Sequence, residues 1–528
     1  MINLSEEQQG ALNIREGYWA CYAGPGSGKT RVLTARHKAL CNSGVNLQKI
    51  LSLTFTKKAA EEMRNRLDIK SDTEKASGLR TAHSLALAFA LQERKQFPFT
   101  LAAKPLAPEG VANKILSKIV DQYPGIRFNE CKRFIGLQKQ YNIRPENTLA
   151  IDIRRLTLKN IYKEYQHDLK SKGLLDFDDL IAEMVNLLKE NPEILDRWSY
   201  QFVQCDEAQD CNGLDWDLLE LLSKKYGNLF AVGDPNQCIF EFRGANPYLF
   251  DNFGKMFPTG KSLYLGANYR SSPAIVDFIK SIAPQKNELI KKLYSETTQG
   301  RPLGYGPDPT INKYNNEQEE AEGVIEHYES QGCPANTAIL CRTNLSIRPF
   351  EDRLEARSLK YHLLSHSGFF EQPEIKHVLT YAKDIKTLDK LVEKSIKYYQ
   401  DVEIPKPDND PIANLRKLVQ IASEFDFFSL FLNYVRQITR GYKKQTGLSL
   451  GTIHASKGLE FERVYLTGIN EGNIPHKKSD NIDEESRILF VGCSRPSREL
   501  HLSYVGEPSR FLTQVMKDTQ LVLYAKAN

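Results

Sequence analysis

Tyr18-Trp19-Ala20-Cys21-Tyr22-Ala23-Gly24-Pro25-Gly26-Ser27-Gly28-Lys29-Thr30 is the stretch that decides the fold. Its first six residues form an apolar run of strand length, and an amphipathic pattern starts at Lys29. Between them, Ala23 to Thr30 reads as a P-loop with Ala23 in place of the first glycine. Gly24, Gly26 and Gly28, separated by Pro25 and Ser27, let backbone N–H groups turn toward a triphosphate. The start of a helix adds a favourable dipole there. Lys29 is placed to reach the β- and γ-phosphates, and the Thr30 hydroxyl to ligate Mg²⁺. A glycine turn without a ligand is the competing reading. The Gly-Lys-Thr ending and the strand–helix frame favour the phosphate site.

Outward from this point the same alternation repeats. Lys49–Phe55 reads as a strand and Lys57–Leu67 as its following helix, which predicts a parallel α/β sheet. Residues 90–175 are Lys-rich and helix-patterned, notably Val111–Tyr123 and Ile151–Lys172, and read as a helical insertion. Strand patterns return at Phe202–Cys205 and Leu229–Val232. A second α/β unit follows, with Thr337–Cys341, Leu448–Thr452 and Arg463–Thr467 as its clearest strands. Residues 381–445 within it are mostly helical in pattern, broken by a Pro- and Asp-rich loop from Glu403 to Pro411. There is no low-complexity tract and no short-period repeat. The strand Phe202–Cys205 delivers two acids, Asp206 and Glu207, to its C-terminal end. Beside a P-loop, Asp206 is suited to hold Mg²⁺ and Glu207 to accept a proton from the attacking water, so hydrolysis is expected rather than nucleotide binding alone.

A chain of 528 residues calls for three or four packed units. The formal net charge of +5 is too small to argue for nucleic acid by itself, so a basic surface would have to come from local clustering. The nine cysteines, Cys21, Cys41, Cys131, Cys205, Cys211, Cys238, Cys333, Cys341 and Cys493, lack zinc-ligand spacing and read as reduced thiols. The polar N-terminus lacks the apolar core of a signal peptide, and no run is long and apolar enough to span a membrane. A soluble, cytoplasmic, nucleoid-associated protein is expected.

More specific signals come in ordered blocks. Asp206-Glu207-Ala208-Gln209-Asp210 is followed by Val232-Gly233-Asp234-Pro235-Asn236-Gln237 and Phe240-Glu241-Phe242-Arg243-Gly244-Ala245. Before them stand Leu4-Ser5-Glu6-Glu7-Gln8, Thr54-Phe55-Thr56-Lys57-Lys58-Ala59-Ala60, Ala82-His83-Ser84 and Asp176-Phe177-Asp178-Asp179-Leu180. After them stand Asn268-Tyr269-Arg270-Ser271, the run from Thr452 to Phe461, Glu484-Glu485-Ser486-Arg487 and Val491-Gly492-Cys493-Ser494-Arg495. In this order, across nearly the whole chain, they resemble superfamily 1 helicases of the UvrD/Rep type.

The resemblance implies an α/β fold of two RecA-like P-loop NTPase lobes with helical insertions: 1–89 and 176–275 as the first lobe, 90–175 inserted in it, 276–380 and 446–528 as the second lobe, and 381–445 as a reduced form of the insertion called 2B. It implies that Gln8 reads the adenine edge, Tyr269 stacks on the adenine, Glu460 meets the ribose and Arg31 lies beside the phosphates. Gln237 would sense the γ-phosphate, while Arg270 and Arg495 would point at it and stabilise transition-state charge. Single-stranded DNA would run over Phe55, Phe240 and Phe242, with Arg243, His83, Asn344 and His454 along the strand. Phe240 and Phe242 can also be read as core aromatics; their spacing on a short connection between lobes favours stacking.

Ala208, Cys238 and Pro496 depart from the family's usual aromatic, Ser and Ala, and Pro496 is expected to shorten a following helix. The implied function is an ATP-dependent DNA helicase or translocase, 3′ to 5′, using ATP and Mg²⁺ on single-stranded DNA and single-strand/duplex junctions. The short 381–445 segment leaves unwinding to a protein partner or self-association, or relieves autoinhibition. The alternatives are a translocase with little unwinding of its own and an ATP switch within a repair or defence complex.

Overall fold

The computed structural model describes residues 4–54, 57–67, 78–241, 244–284, 288–295, 297–299, 306–364, 373–401, scattered positions between 415 and 435, and 447–518. Phe55, Phe242 and Arg243 lie outside the described residues. The chain divides into two compact units, Met1–Tyr269 with Gln285–Gly300, and Arg270–Pro284 with Arg301–Asn528.

The first unit is built on a parallel sheet of six strands. They are β1 (Tyr18–Ala23), β2 (Ile50–Thr54), β3 (Leu79–Thr81), β4 (Phe202–Cys205), β5 (Leu229–Gly233) and β6 (Lys261–Leu265), in the order β3-β2-β4-β5-β1-β6. β2, β4 and β5 are buried along their whole length and β1 from Ala20 on, because helices cover both faces. Two short strands, β7 (Ala267–Asn268) and β8 (Thr298–Gln299), pair in parallel within the same unit. Sequence order groups 285–300 with the second lobe. The β7–β8 pairing and a buried hydrogen bond from Tyr294 to Asp234 tie that segment into the first unit instead.

The Lys-rich segment forms the helices Glu109–Val120, Phe128–Gln140 and Ile153–Ser171. They share a core of Ile115, Ile119, Cys131, Ile135, Ile161 and Leu169. A buried cation, Lys139, joins this layer to the start of the helix Phe177–Glu190: its Nζ lies 2.5 Å from Asp176 Oδ2 and 2.8 Å from Asp179 Oδ1. Asp176 also caps that helix through a reciprocal pair with Asp179.

The second unit repeats the plan with β9 (Thr310–Tyr314), β10 (Thr337–Cys341), β11 (Tyr361–Leu363), β12 (Leu448–Thr452), β13 (Phe461–Leu466) and β14 (Pro496–Val505). All pair in parallel, in the order β11-β12-β10-β13-β14-β9. The helices Pro373–Tyr381 and Ile385–Asp401 form a separate small core with Leu415, Leu418 and Phe431. Pro496 shortens no helix. The helix Ile482–Cys493 has already ended, and Pro496 opens β14, where a fixed φ and a missing N–H are tolerated at the first residue. Among the described residues no helix is long and apolar enough to cross a membrane, and all nine cysteines are free.

Candidate active site

In the first unit, β1 ends at Ala23 and the helix Lys29–Asn42 begins after a turn of five residues. The turn closes because Gly26 (φ 69°) and Gly28 (φ 83°, ψ 32°) take left-handed conformations that favour glycine. A Cβ on Gly28 would come 2.9 Å from Gln8 Nε2, since that amide donates to Ser27 O at 2.9 Å. Gln8 is therefore locked onto the loop, and Ser5 caps its helix in a reciprocal pair with it. Lys29 Nζ donates to Ala23 O (3.1 Å) and Gly24 O (3.4 Å), across the mouth of the loop. Arg31 is exposed on the first turn of the same helix.

Thr30 Oγ1 donates to Asp206 Oδ2 at 2.8 Å, although the two residues are 176 positions apart. β1 and β4 both pair in parallel with β5, so their C-terminal ends bring Thr30 and Asp206 to the same edge of the sheet. Asp206 is buried, and burial, with Glu207 beside it, raises its carboxyl to about 7. Glu207 stands in a left-handed conformation (φ 51°), unusual for a residue with a side chain and characteristic of strained functional turns. A hydroxyl and a carboxylate oxygen sharing one point, beside a glycine loop at a helix start, fit a Mg²⁺-bound nucleotide triphosphate.

A buried polar chain runs on from Glu207. Gln209 Nε2 donates to Glu207 Oε2 (2.6 Å), and Gln209 Oε1 accepts from the Asp234 N–H (2.9 Å). Asp234 Oδ2 accepts from Gln237 Nε2 (2.7 Å) and from Tyr294 OH (2.7 Å), and Oδ1 accepts from the Asn236 N–H (3.1 Å). The sequence points to Glu207 and Gln237 but to no role for Gln209, Asp234 or Tyr294. Tyr269 joins the loop through its N–H to Gly26 O (2.9 Å).

In the second unit Arg270, Glu460 and Arg495 are brought together. Arg270 donates to Ser494 O (2.9 Å) and pairs with Glu460. Arg495 is fully buried: its Nε donates to Val491 O (2.9 Å), and its Nη2 to Ser494 Oγ (2.8 Å). Asn344 is exposed at the start of the turn Leu345–Ile347, and His454 is half-buried on the short helix Ile453–Ser456.

A cavity of about 880 Å³ opens in the first unit between β2, β4 and the helices Phe128–Gln140 and Phe177–Glu190. His83 and Phe240 line it. The His83 ring stacks on Phe177 with centroids 3.6 Å apart and planes 16° apart, and burial lowers the imidazole to about 4. Phe177, for which the sequence suggested no role, keeps 57% of its surface exposed.

Residues 4–258 match the UvrD/REP helicase N-terminal domain, and residues 263–389 and 380–507 match the UvrD-like helicase C-terminal domain. The ATP-dependent DNA helicase PcrA of Staphylococcus epidermidis is 26% identical, over 98% of this chain and 87% of the relative. PcrA of Staphylococcus aureus is 25% identical, over 97% and 86% respectively. Both family domains, in order and end to end, are thus accounted for by one chain. The chain belongs to the UvrD-like helicase family.

Proposed function

We propose that this protein is an ATP-driven motor that tracks single-stranded DNA in the 3′ to 5′ direction and unwinds the duplex ahead of it. As a UvrD-like helicase it is an ATP hydrolase, and the observation that carries the reading is the Thr30–Asp206 contact beneath the glycine loop. Lys29 and the loop amides bind the triphosphate. Glu207 takes the proton of the attacking water, and Gln237 senses the γ-phosphate. Gln8 and Tyr269 hold the adenine, Glu460 the ribose, and Arg270 and Arg495 stabilise the charge that develops as the γ-phosphate leaves. A Mg²⁺ ion held by Thr30 and Asp206 supplies charge neutralisation on the phosphates when bound.

His83 with Phe177, Phe240, Phe242, Phe55 and Arg243, and Asn344 with His454, form the track for bases and phosphates. Residues 1–89, 176–269 and 285–300 make the first lobe, and 90–175 its insertion. Residues 270–284, 301–380 and 446–528 make the second, and 381–445 a reduced 2B-like insertion. That reduction favours a partner or a second copy at the junction. We place the protein in the cytoplasm, on the nucleoid.

The test is ATP hydrolysis with single-stranded DNA, duplex DNA and RNA, beside strand displacement on 3′-tailed, 5′-tailed and blunt duplexes. Stimulation by single-stranded DNA and preference for the 3′ tail are expected. Absence of stimulation by DNA, or parental hydrolysis by Lys29→Ala, overturns the reading. Robust unwinding by isolated monomers removes the partner.

A further inference from the structure

Asp206, Glu207 and Gln237 are each held by another side chain, whereas Lys29 is held by backbone carbonyls. The anchor of Gln237 is the carboxylate of Asp234, which has no exposed surface. A buried carboxylate has to be fully supplied with donors, because each missing hydrogen bond leaves charge unsolvated. Asp234 Oδ1 takes the Asn236 N–H, and Oδ2 is shared by Gln237 Nε2 and Tyr294 OH, both at 2.7 Å. The Gln237 side chain is thereby tethered through its nitrogen, which fixes where its carbonyl oxygen points. On the other side, the Asp234 N–H fixes Gln209, and Gln209 fixes the Glu207 carboxylate.

Tyr294 closes this chain from outside the two motifs. It sits on the helix Glu288–Ser295, is 1% exposed, and lies 60 positions from Asp234 in sequence. Its segment is anchored on both sides of the phosphate loop's surroundings. Thr297 Oγ1 lies 4.0 Å from where a Cβ on Gly24 would stand. β8 pairs with β7 immediately before Tyr269, whose N–H holds Gly26.

We propose that Tyr294 is a positioning residue of the ATPase centre: its hydroxyl, donated to the Asp234 carboxylate, orients Gln237 and, through Gln209, the Glu207 carboxylate. This rests on the roles given above to Gln237 and Glu207. Because Tyr294 touches no reacting atom, its effect falls on the rate of the chemical step and not on nucleotide affinity.

The test is steady-state ATP hydrolysis by the full chain, saturated with oligo-dT, in the parental, Tyr294→Phe, Gln237→Ala and Tyr294→Phe/Gln237→Ala proteins. KM for ATP and thermal melting are recorded on each. Tyr294→Phe is expected to lower kcat roughly ten-fold with KM within about two-fold of parental. In the Gln237→Ala background it is expected to cost less than about two-fold more, because the two act as a unit. A structural role alone would lower the melting temperature and leave the two losses additive.

Parental kcat in folded Tyr294→Phe, a loss confined to KM, or full additivity each overturns the proposal. If Tyr294→Phe does not fold, Gln209→Leu decides, with the same kcat loss expected and parental kcat overturning. Crippled Gln237→Ala beside parental Tyr294→Phe removes the positioning role alone. Parental Gln237→Ala removes the role of Gln237 itself, and that of Tyr294 with it.

Discussion

Thr30 Oγ1 and Asp206 Oδ2 stand 2.8 Å apart, so a helix start and a strand end present two oxygens to one point. The acid of this pair is the less comfortable partner. Burial, then the neighbouring Glu207, lifts its pKa from 3.8 to about 7. An acid raised in the folded state favours folding while it is protonated. Its contribution is complete below the unfolded value and is lost as pH rises through about 7. Asp206→Asn removes this loss. In the absence of nucleotide and divalent metal, the variant is expected to melt higher than the parental protein by a few degrees at pH 8, with the gap closing toward pH 5. It is expected to lose turnover. Parallel melting profiles from pH 5 to 8 would refute the account.

Arg495 illustrates a residue with two duties. Its guanidinium is buried and donates to Val491 O and Ser494 Oγ, so truncation leaves oxygens without donors as well as removing a charge. Arg495→Ala is expected to cost ~2–4 kcal/mol of stability besides hydrolysis. Arg495→Lys keeps the charge but not the planar fork. It should melt closer to parental, bind a non-hydrolysable ATP analogue normally, and still lose at least about ten-fold in kcat. Recovery of kcat along with stability in the Lys variant would assign Arg495 to the fold alone.

The motif residues were legible because each motif is contiguous. Ala23 to Thr30 carries the loop, its φ demands and its lysine in eight letters, and Phe202–Cys205 announces Asp206 through an unbroken apolar run. Strands buried on both faces, such as Thr337–Cys341 and Leu448–Thr452, read at their true bounds for the same reason. The edge strands Lys261–Leu265 and Thr310–Tyr314 do not, because most of their positions meet solvent and break the run. Pro496 misled in the opposite sense: proline signals a helix problem, whereas here it starts a strand. Tyr294 left no trace, since a hydrogen bond to a residue 60 positions away has no local pattern, whereas Gln209 stood in a quoted block with nothing there to show its bond to Asp234.

The His83–Phe177 stack predicts how the DNA track behaves. With Phe177 largely exposed and His83 supporting one face, the free face of Phe177 is available to a base. Phe177→Ala is expected to weaken binding of a dT oligonucleotide by ~1–3 kcal/mol, whatever the base composition. His83 is held near pH 4 by burial, so it is neutral throughout the neutral range. A depressed base supports the fold fully above its unfolded value near 6.5 and loses that support as pH falls through about 4. Replacing His83 with Asn should therefore leave unchanged the pH dependence of oligonucleotide affinity between 6 and 8, measured by fluorescence anisotropy. A step near pH 6.5 that disappears in His83→Asn would show a charged, phosphate-binding histidine instead.

The helical layer of the first unit hangs on Lys139. Its ammonium is 2% exposed, and the carboxylates of Asp176 and Asp179 more than offset the cost of burying it. Lys139→Met keeps the volume of the stem and deletes the charge, which strands two acids at the start of the helix Phe177–Glu190. Breaking such a cluster from one side costs ~3–5 kcal/mol. Neutralising the acids as well should recover most of it, since Asn at position 176 can still cap the helix. The triple variant Lys139→Met/Asp176→Asn/Asp179→Asn is thus expected to melt well above Lys139→Met alone. The same helix start carries Phe177, so Lys139→Met should also weaken oligonucleotide binding, and the triple variant should restore it. Recovery of stability without recovery of binding would mean that the charges, rather than the helix they anchor, face the DNA.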